Sequence, residues 1–119
     1  MLYFLIYVLL IHYIADFVCQ TNWMALNKSK SNLALGAHVA TYTGVMLVGL
    51  HIGLIFHNMQ YIWLFSLINA LLHFITDYVS SRISAKFWVA EQRSFFWWTI
   101  GFDQWVHNAT LILLTAFLL

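Results

Sequence analysis

Four apolar runs, uninterrupted by any proline, limit what this chain can fold into. They cover about residues 2–20, 33–56, 60–80 and 99–119, and each has roughly the 20 residues that a helix needs to cross a bilayer. Only 8% of the residues are charged, against about a quarter in a typical soluble domain. The sequence predicts an all-α fold, a four-transmembrane-helix bundle, forming one integral membrane domain over residues 1–119.

The basic residues predict how this bundle is oriented. All five lie in two connecting segments: Lys28 and Lys30 in the first, and Arg82, Lys86 and Arg93 in the second. By the positive-inside rule, both segments face the cytoplasm and both termini lie on the non-cytoplasmic side of a bacterial inner membrane. The first run lacks a basic n-region and a cleavage site, so we expect a retained helix and not a signal peptide.

Smaller features concern packing and the membrane interface. The segment 82–98 mixes basic residues with Trp and Phe, which is typical of an aromatic belt or of a short amphipathic helix at the interface. Gly49 and Gly53 have the small-xxx-small spacing that lets helices pack closely. Cys19, the lone cysteine, excludes an internal disulfide and is expected to be a small packing residue.

Ionisable residues inside the apolar runs follow a pattern. The first and third runs share H-x-x-x-D, within the phrases LIHYIADFV and LLHFITDYV, and a spacing of four places both members on one helix face. The fourth run carries the pair in reverse order, and the second has one histidine near its start. The predicted cluster is His12, Asp16, His38, His73, Asp77, Asp103 and His107. His51 and His57 lie toward the opposite side and are expected to be interfacial polar residues.

The repeated phrase also bears on symmetry and depth. Its two copies lie 61 residues apart and run in the same direction, which predicts two parallel helical-hairpin repeats about an axis along the membrane normal. With this topology and a rise of 1.5 Å per residue, the whole cluster lies within roughly 5 to 12 Å of the cytoplasmic ends of the helices.

Three intramembrane carboxylates need compensation, because together they cost of order 8 to 10 kcal/mol on insertion scales. Histidine and aspartate are ligands of divalent metals, so the sequence predicts one or two ions, zinc first, with iron or manganese as alternatives. Gln20, Asn69 and Gln104 lie on or beside the same polar faces and are expected to support the ligands. A metal-free hydrogen-bond network and a proton or ion path are the other two interpretations of the cluster.

The predicted site favours a metal-dependent hydrolase acting on a lipid-like substrate, because a bound metal activates water. Asp16, Asp77 or Asp103 would serve as general base if it is not a ligand. The alternatives are a metal-ion or proton transporter or channel, and a non-catalytic module that binds a partner membrane protein. The outer halves of three runs are almost wholly apolar, which argues against a transport path unless an oligomer creates one. The net charge of +1 excludes a nucleic-acid partner.

In order along the chain, five motifs resemble a known family: H-x-x-x-D-F-x-x-Q at 12–20, Trp23, His38, H-x-x-x-D-Y at 73–78 and D-Q-x-x-H at 103–107. The family comprises small polytopic membrane proteins from bacteria and phages and is filed as a domain of unknown function. The resemblance covers nearly the whole chain and implies an integral membrane protein without a known activity. A looser similarity to membrane-bound metal-dependent hydrolases is a fold-level analogy for the reaction class.

Overall fold

The computed structural model describes residues 2–53 and 59–119, and this part of the chain contains helices and short connections but no strand. This confirms the predicted all-α class. Helix α1 continues directly into a π-helical turn at Ile14–Val18. The α-helices are α1 Leu2–Tyr13, α2 Asn22–Asn27, α3 Asn32–Gly53, α4 Met59–Val89 and α5 Arg93–Leu118. His57 and the end of the predicted second run lie outside the described residues.

Two of these helices are long and apolar enough to cross a membrane, Asn32–Gly53 in α3 and Gln60–Val89 in α4. The first run forms a shorter apolar helix, Leu2–Val18. Helix α5 has 26 residues, but its first half contains Arg93, Asp103 and several aromatic and polar side chains. Length and composition therefore support two spanning helices.

The ends of α4 and α5 differ from the predicted spans. Helix α4 continues to Val89 instead of ending near residue 80, and α5 begins at Arg93 instead of near residue 99. The segment 82–98 therefore does not form a separate interfacial helix, which is one of its two interpretations, and its residues belong to the two long helices and to the connection between them. No proline or glycine interrupts the chain here, and the reversal occurs at Glu91, whose φ of 58° lies in the left-handed region.

The interior has an apolar part and a polar part. The apolar core cluster consists of Val8, Ile11, Ala15, Tyr42, Met46, Leu50, Ile62, Phe65 and Leu111. Polar residues are buried in comparable number, and all seven residues of the predicted cluster are among them. Large Leu, Ile, Phe and Trp side chains cover the outside instead, with Leu33 76% exposed and Trp98 67% exposed. A soluble protein seldom buries so many ionisable groups or exposes so many large apolar side chains.

Close contact between α1 and α3 depends on two glycines of α3. The Tyr7 hydroxyl donates a hydrogen bond of 2.8 Å to the Gly49 carbonyl. A Cβ on Gly49 would lie 2.7 Å from Ile11 Cδ1, and a Cβ on Gly53 would overlap the Tyr7 ring. These contacts confirm the packing role predicted from the glycine spacing.

Gly49→Ala is expected to destabilise the protein, because the added methyl group forces α1 away from α3, and overpacking of this kind costs about 1–3 kcal/mol. The control is Gly44→Ala in the same helix, where an added Cβ meets no atom within 4 Å. Thermal unfolding in detergent measures both. A Gly49→Ala variant as stable as Gly44→Ala would contradict the packing assignment.

Candidate metal centre

Four helical segments bring most of the predicted cluster together. Asp16 lies in the π-helical turn and is only 4% exposed. Such π-helical turns are frequent at functional sites. Helix α3 contributes one residue, and α4 and α5 contribute two each: His38, His73, Asp77, Asp103 and His107. Each of these side chains is buried, Asp103 being the most accessible at 8% exposure.

Four atoms form a compact first ligand group, defined by Asp16, His38, His73 and Asp77. His38 Nε2 lies 3.1 Å from Asp16 Oδ1, 3.2 Å from Asp77 Oδ2 and 3.3 Å from His73 Nε2. His73 Nε2 lies 3.5 Å from Asp16 Oδ1 and 3.8 Å from Asp77 Oδ2. Tetrahedral zinc with bonds of about 2.0–2.1 Å spaces its ligand atoms about 3.3 Å apart. These five distances, 3.1 to 3.8 Å, are close to the spacing of ligand atoms around a tetrahedral ion.

Hydrogen bonding within this group is incomplete. Asp16 Oδ1 is buried and has no hydrogen-bond partner among the described residues, although two imidazole nitrogens lie within 3.5 Å. The two facing nitrogens of His38 and His73 can share only one proton between them. A buried acceptor without a donor costs free energy, and a cation among these atoms would satisfy all of them at once.

A second ligand group consists of Asp77, Asp103 and His107. His107 Nε2 lies 3.0 Å from Asp77 Oδ1 and 3.6 Å from Asp103 Oδ1. The Ser80 hydroxyl donates to Asp103 Oδ1. Asp77 therefore belongs to both groups, with Oδ2 facing the first and Oδ1 facing the second. One carboxylate in this position can bridge two ions.

Gln104 connects the two groups from the side. Its amide Nε2 donates to Asp16 Oδ2 at 3.0 Å and to Asp103 Oδ2 at 3.1 Å. Its Oε1 lies 3.4 Å from His12 Nε2. The amide thus holds the outer oxygens of two carboxylates whose inner oxygens belong to different groups. These contacts are those of a supporting residue, the role that the sequence predicts for Gln104.

His12 is placed differently from the other predicted ligands. It is buried but belongs to neither group of the described ligand atoms. Its Nδ1 lies 3.2 Å from the Tyr42 hydroxyl, to which Asn69 Nδ2 donates at 3.0 Å. His12 and Asn69 are therefore linked through Tyr42. Gln20, the third predicted supporting residue, lines a small cavity next to Asp16.

Three residues that contact the centre escaped the sequence reasoning. Tyr42 follows His38 by one helical turn, and its ring stacks on His73 with centroids 3.8 Å apart. Ser80 follows Asp77 by three positions and faces Asp103. The sequence predicts only a topological role for Lys28, yet its Nζ lies 2.8 Å from Asp77 Oδ2. Helical spacing pointed to the first two residues, whereas nothing local pointed to the third.

A protein-family model described as "Protein of unknown function (DUF3307)" matches residues 4–119 of the chain. The chain belongs to this family, which confirms the resemblance to a family of unknown function. The distribution among bacteria and phages stays a prediction. No curated protein and no solved structure matches the chain.

Tyr42→Phe is expected to lower stability by about 1–3 kcal/mol, because it removes the only hydroxyl that links His12 to Asn69 and leaves both groups buried without that partner. Tyr13→Phe is the matched control, since Tyr13 is exposed and its hydroxyl has no hydrogen bond to a described residue. Unfolding midpoints in detergent test the difference. Equal midpoints for the two variants would contradict the assigned network.

Proposed function

We propose that this member of the DUF3307 family is a four-span membrane protein whose buried His/Asp centre binds divalent metal near the cytoplasmic leaflet. We further propose that it is a hydrolase acting on a membrane-embedded substrate. The observation that carries the proposal is a pair of ligand groups that share Asp77. The first group has four ligand residues and the second has three.

The exposed apolar surface and the buried ionisable residues support the membrane assignment. Apolar residues are exposed along α1, α3, α4 and α5, whereas carboxylates and imidazoles are inside. A bilayer stabilises such a surface, and a polar interior of paired residues is how ionisable groups are tolerated within a membrane. The basic connections favour a multi-pass protein of the bacterial inner membrane, with both termini on the non-cytoplasmic side.

The two groups suit two ions with different roles. Four protein ligands, as in the first group, are typical of a closed site, whereas the second group offers at most three and leaves a position for water or substrate. Two divalent ions and three carboxylates leave one positive charge, which a hydroxide would neutralise. Zinc is the first choice for a mixed imidazole and carboxylate set, and iron or manganese would use the same ligands.

The chemistry proposed is hydrolysis of an ester, amide or phosphoester. Metal lowers the pKa of water to about 7 and thereby supplies a nucleophile at neutral pH. Asp103 is the most accessible of the three aspartates and is positioned by Ser80 and Gln104, so it is the residue that accepts the proton from water. In that role it acts as a base in place of a ligand, and Asp77 and His107 would hold the ion of the second group. The water oxygen bonds to the acyl or phosphoryl centre, the bond to the leaving group breaks, and the proton passes to that group.

Transport of metal ions or protons is the alternative function for the same residues. A path would have to continue from the centre through the other half of the bundle. There the side chains of Met46, Leu50, Ile62, Phe65 and Leu111 are completely buried and pack together. This apolar cluster favours a site with one opening. A partner-binding module would not need the two ligand groups.

Metal content is expected to follow the division into two groups. Wild-type protein purified in detergent and loaded with zinc should bind two equivalents by elemental analysis. Asp77→Asn should lose both ions because the shared carboxylate is removed, and His73→Ala should lose the ion of the first group. His51→Ala is the control, since its ring contacts Leu47 and Trp63, away from the centre.

Circular dichroism establishes that each variant is folded. If the folded wild type binds no zinc, iron or manganese after loading, the hydrolase proposal is wrong. If metal is bound, hydrolysis of lipid esters and phosphoesters is measured for wild type and Asp103→Asn. Because Asp103 acts as a base in place of a ligand, Asp103→Asn is expected to retain metal while its rate of hydrolysis falls about 100-fold.

Cysteine labelling is expected to reveal the four-span topology. In a Cys19→Ala background, a membrane-impermeant maleimide should label Leu2→Cys from outside intact spheroplasts. Ser29→Cys and Ala90→Cys, in the two basic connections, should react only after the membrane is opened. Labelling of the two connections from outside would show the opposite orientation. Equal labelling of all sites in cytosolic fractions would contradict the membrane assignment.

A further inference from the structure

Lys28 is the one lysine that reaches the centre among the described residues. It follows α2, in the connection between the π-helical turn and α3, and its Nζ lies 2.8 Å from Asp77 Oδ2. Its side chain is 21% exposed, whereas that of Asp77 is 2% exposed. The ammonium group therefore approaches from the surface and neutralises the carboxylate that both ligand groups share.

An ion in the first ligand group would compete with Lys28 for the same oxygen. Asp77 Oδ2 faces His38 and His73 as well as the ammonium. A divalent cation at their centre takes over the negative charge and repels the nearby positive charge. The lysine stem is flexible, so the ammonium can leave Asp77 while the backbone of the connection stays in place.

Lys28 lines a cavity of about 440 Å³. Asp77, Asp103 and Lys30 line it as well. Lys30 makes no side-chain polar contact with another described residue and is exposed. The cavity therefore joins the carboxylates of the centre to two ammonium groups.

The remaining walls are partly polar and partly apolar. Ser80, Ser81 and Ser84 line one side, and the Ser81 hydroxyl oxygen is buried without a hydrogen-bond partner. Trp88 and Phe96 also line the cavity. Ammonium and hydroxyl donors suit phosphate oxygens, whereas the aromatic rings suit an alkyl chain. The walls thus match an amphiphile with an anionic head.

We propose that this cavity admits the phosphate group of an amphiphilic substrate, and that Lys28 moves from Asp77 to that phosphate when metal fills the first ligand group. This deepens the proposed function and rests on it, because it makes the substrate a lipid-like phosphoester. Lys28 is a substrate-binding residue in this scheme, and metal loading creates the anion site that the metal-free protein lacks.

Binding experiments test this coupling. Inorganic phosphate, and phosphatidic acid in mixed micelles with neutral lipid, are titrated into metal-free and zinc-loaded protein. We expect zinc to strengthen phosphate binding at least tenfold, and Lys28→Gln to abolish that gain without loss of zinc. Lys86→Gln is the control, because it removes the same charge from the exposed end of α4 outside this cavity. Lys28→Arg, which retains the charge, should restore binding.

The two phosphate probes distinguish the sources of the ligand. Tighter binding of phosphatidic acid than of inorganic phosphate supports an amphiphilic substrate, whereas equal binding contradicts the role of Trp88 and Phe96. If Lys28→Gln binds zinc normally and binds phosphate as tightly as the wild type does, this inference alone is overturned. Absence of zinc from the folded wild type overturns the proposed function as well.

Lysine acylation gives a direct reading of the movement. The chain has three lysines, so Lys30 and Lys86 serve as internal references for the modification of Lys28. Mass spectrometry should find Lys28 protected in metal-free protein and modified at least fivefold faster after zinc loading. An unchanged ratio between Lys28 and the two references would show that the ammonium stays where it is and overturn the inference.

Discussion

The cost of burying carboxylates governs this structure. Asp16, Asp77 and Asp103 lie inside a molecule whose surface is largely apolar, and a buried charge is tolerated only when it is paired and hydrogen-bonded. The four helical segments must therefore meet at one level, where imidazoles, one amide and one ammonium reach the carboxylates. Asp77 has the most demanding position, since it contacts His38, His107 and Lys28 at once.

Most of the centre could be predicted from the sequence because its residues are repeated at helical spacing. His73 and Asp77 lie one turn apart on α4, and Asp103 and His107 do so on α5, so a single face of each helix identifies them. His12 obeys the same rule, but its ring is beside Tyr42 and Gln104. Spacing determines which face a residue occupies, whereas the neighbours it meets depend on how the helices pack.

The contacts that could not be predicted cross between distant parts of the chain. Lys28 and Asp77 are 49 positions apart, and Gln104 and Asp16 are 88 apart. The sequence also predicts an end of α4 that is too early and a start of α5 that is too late. Hydropathy falls over these residues although the backbone remains helical. Helix α4 has 31 residues and is about 46 Å long, well beyond a hydrocarbon core of about 30 Å.

The two ligand groups differ in what must be assembled to make them. Every residue of the second group lies on the α4–α5 hairpin, which closes through residues 90–92. The first group adds Asp16 and His38 from the N-terminal part of the chain. The hairpin can therefore form its group as soon as it is synthesised and folded. The first group would form only once the N-terminal helices have docked, and the binding of an ion there would mark the last step of assembly.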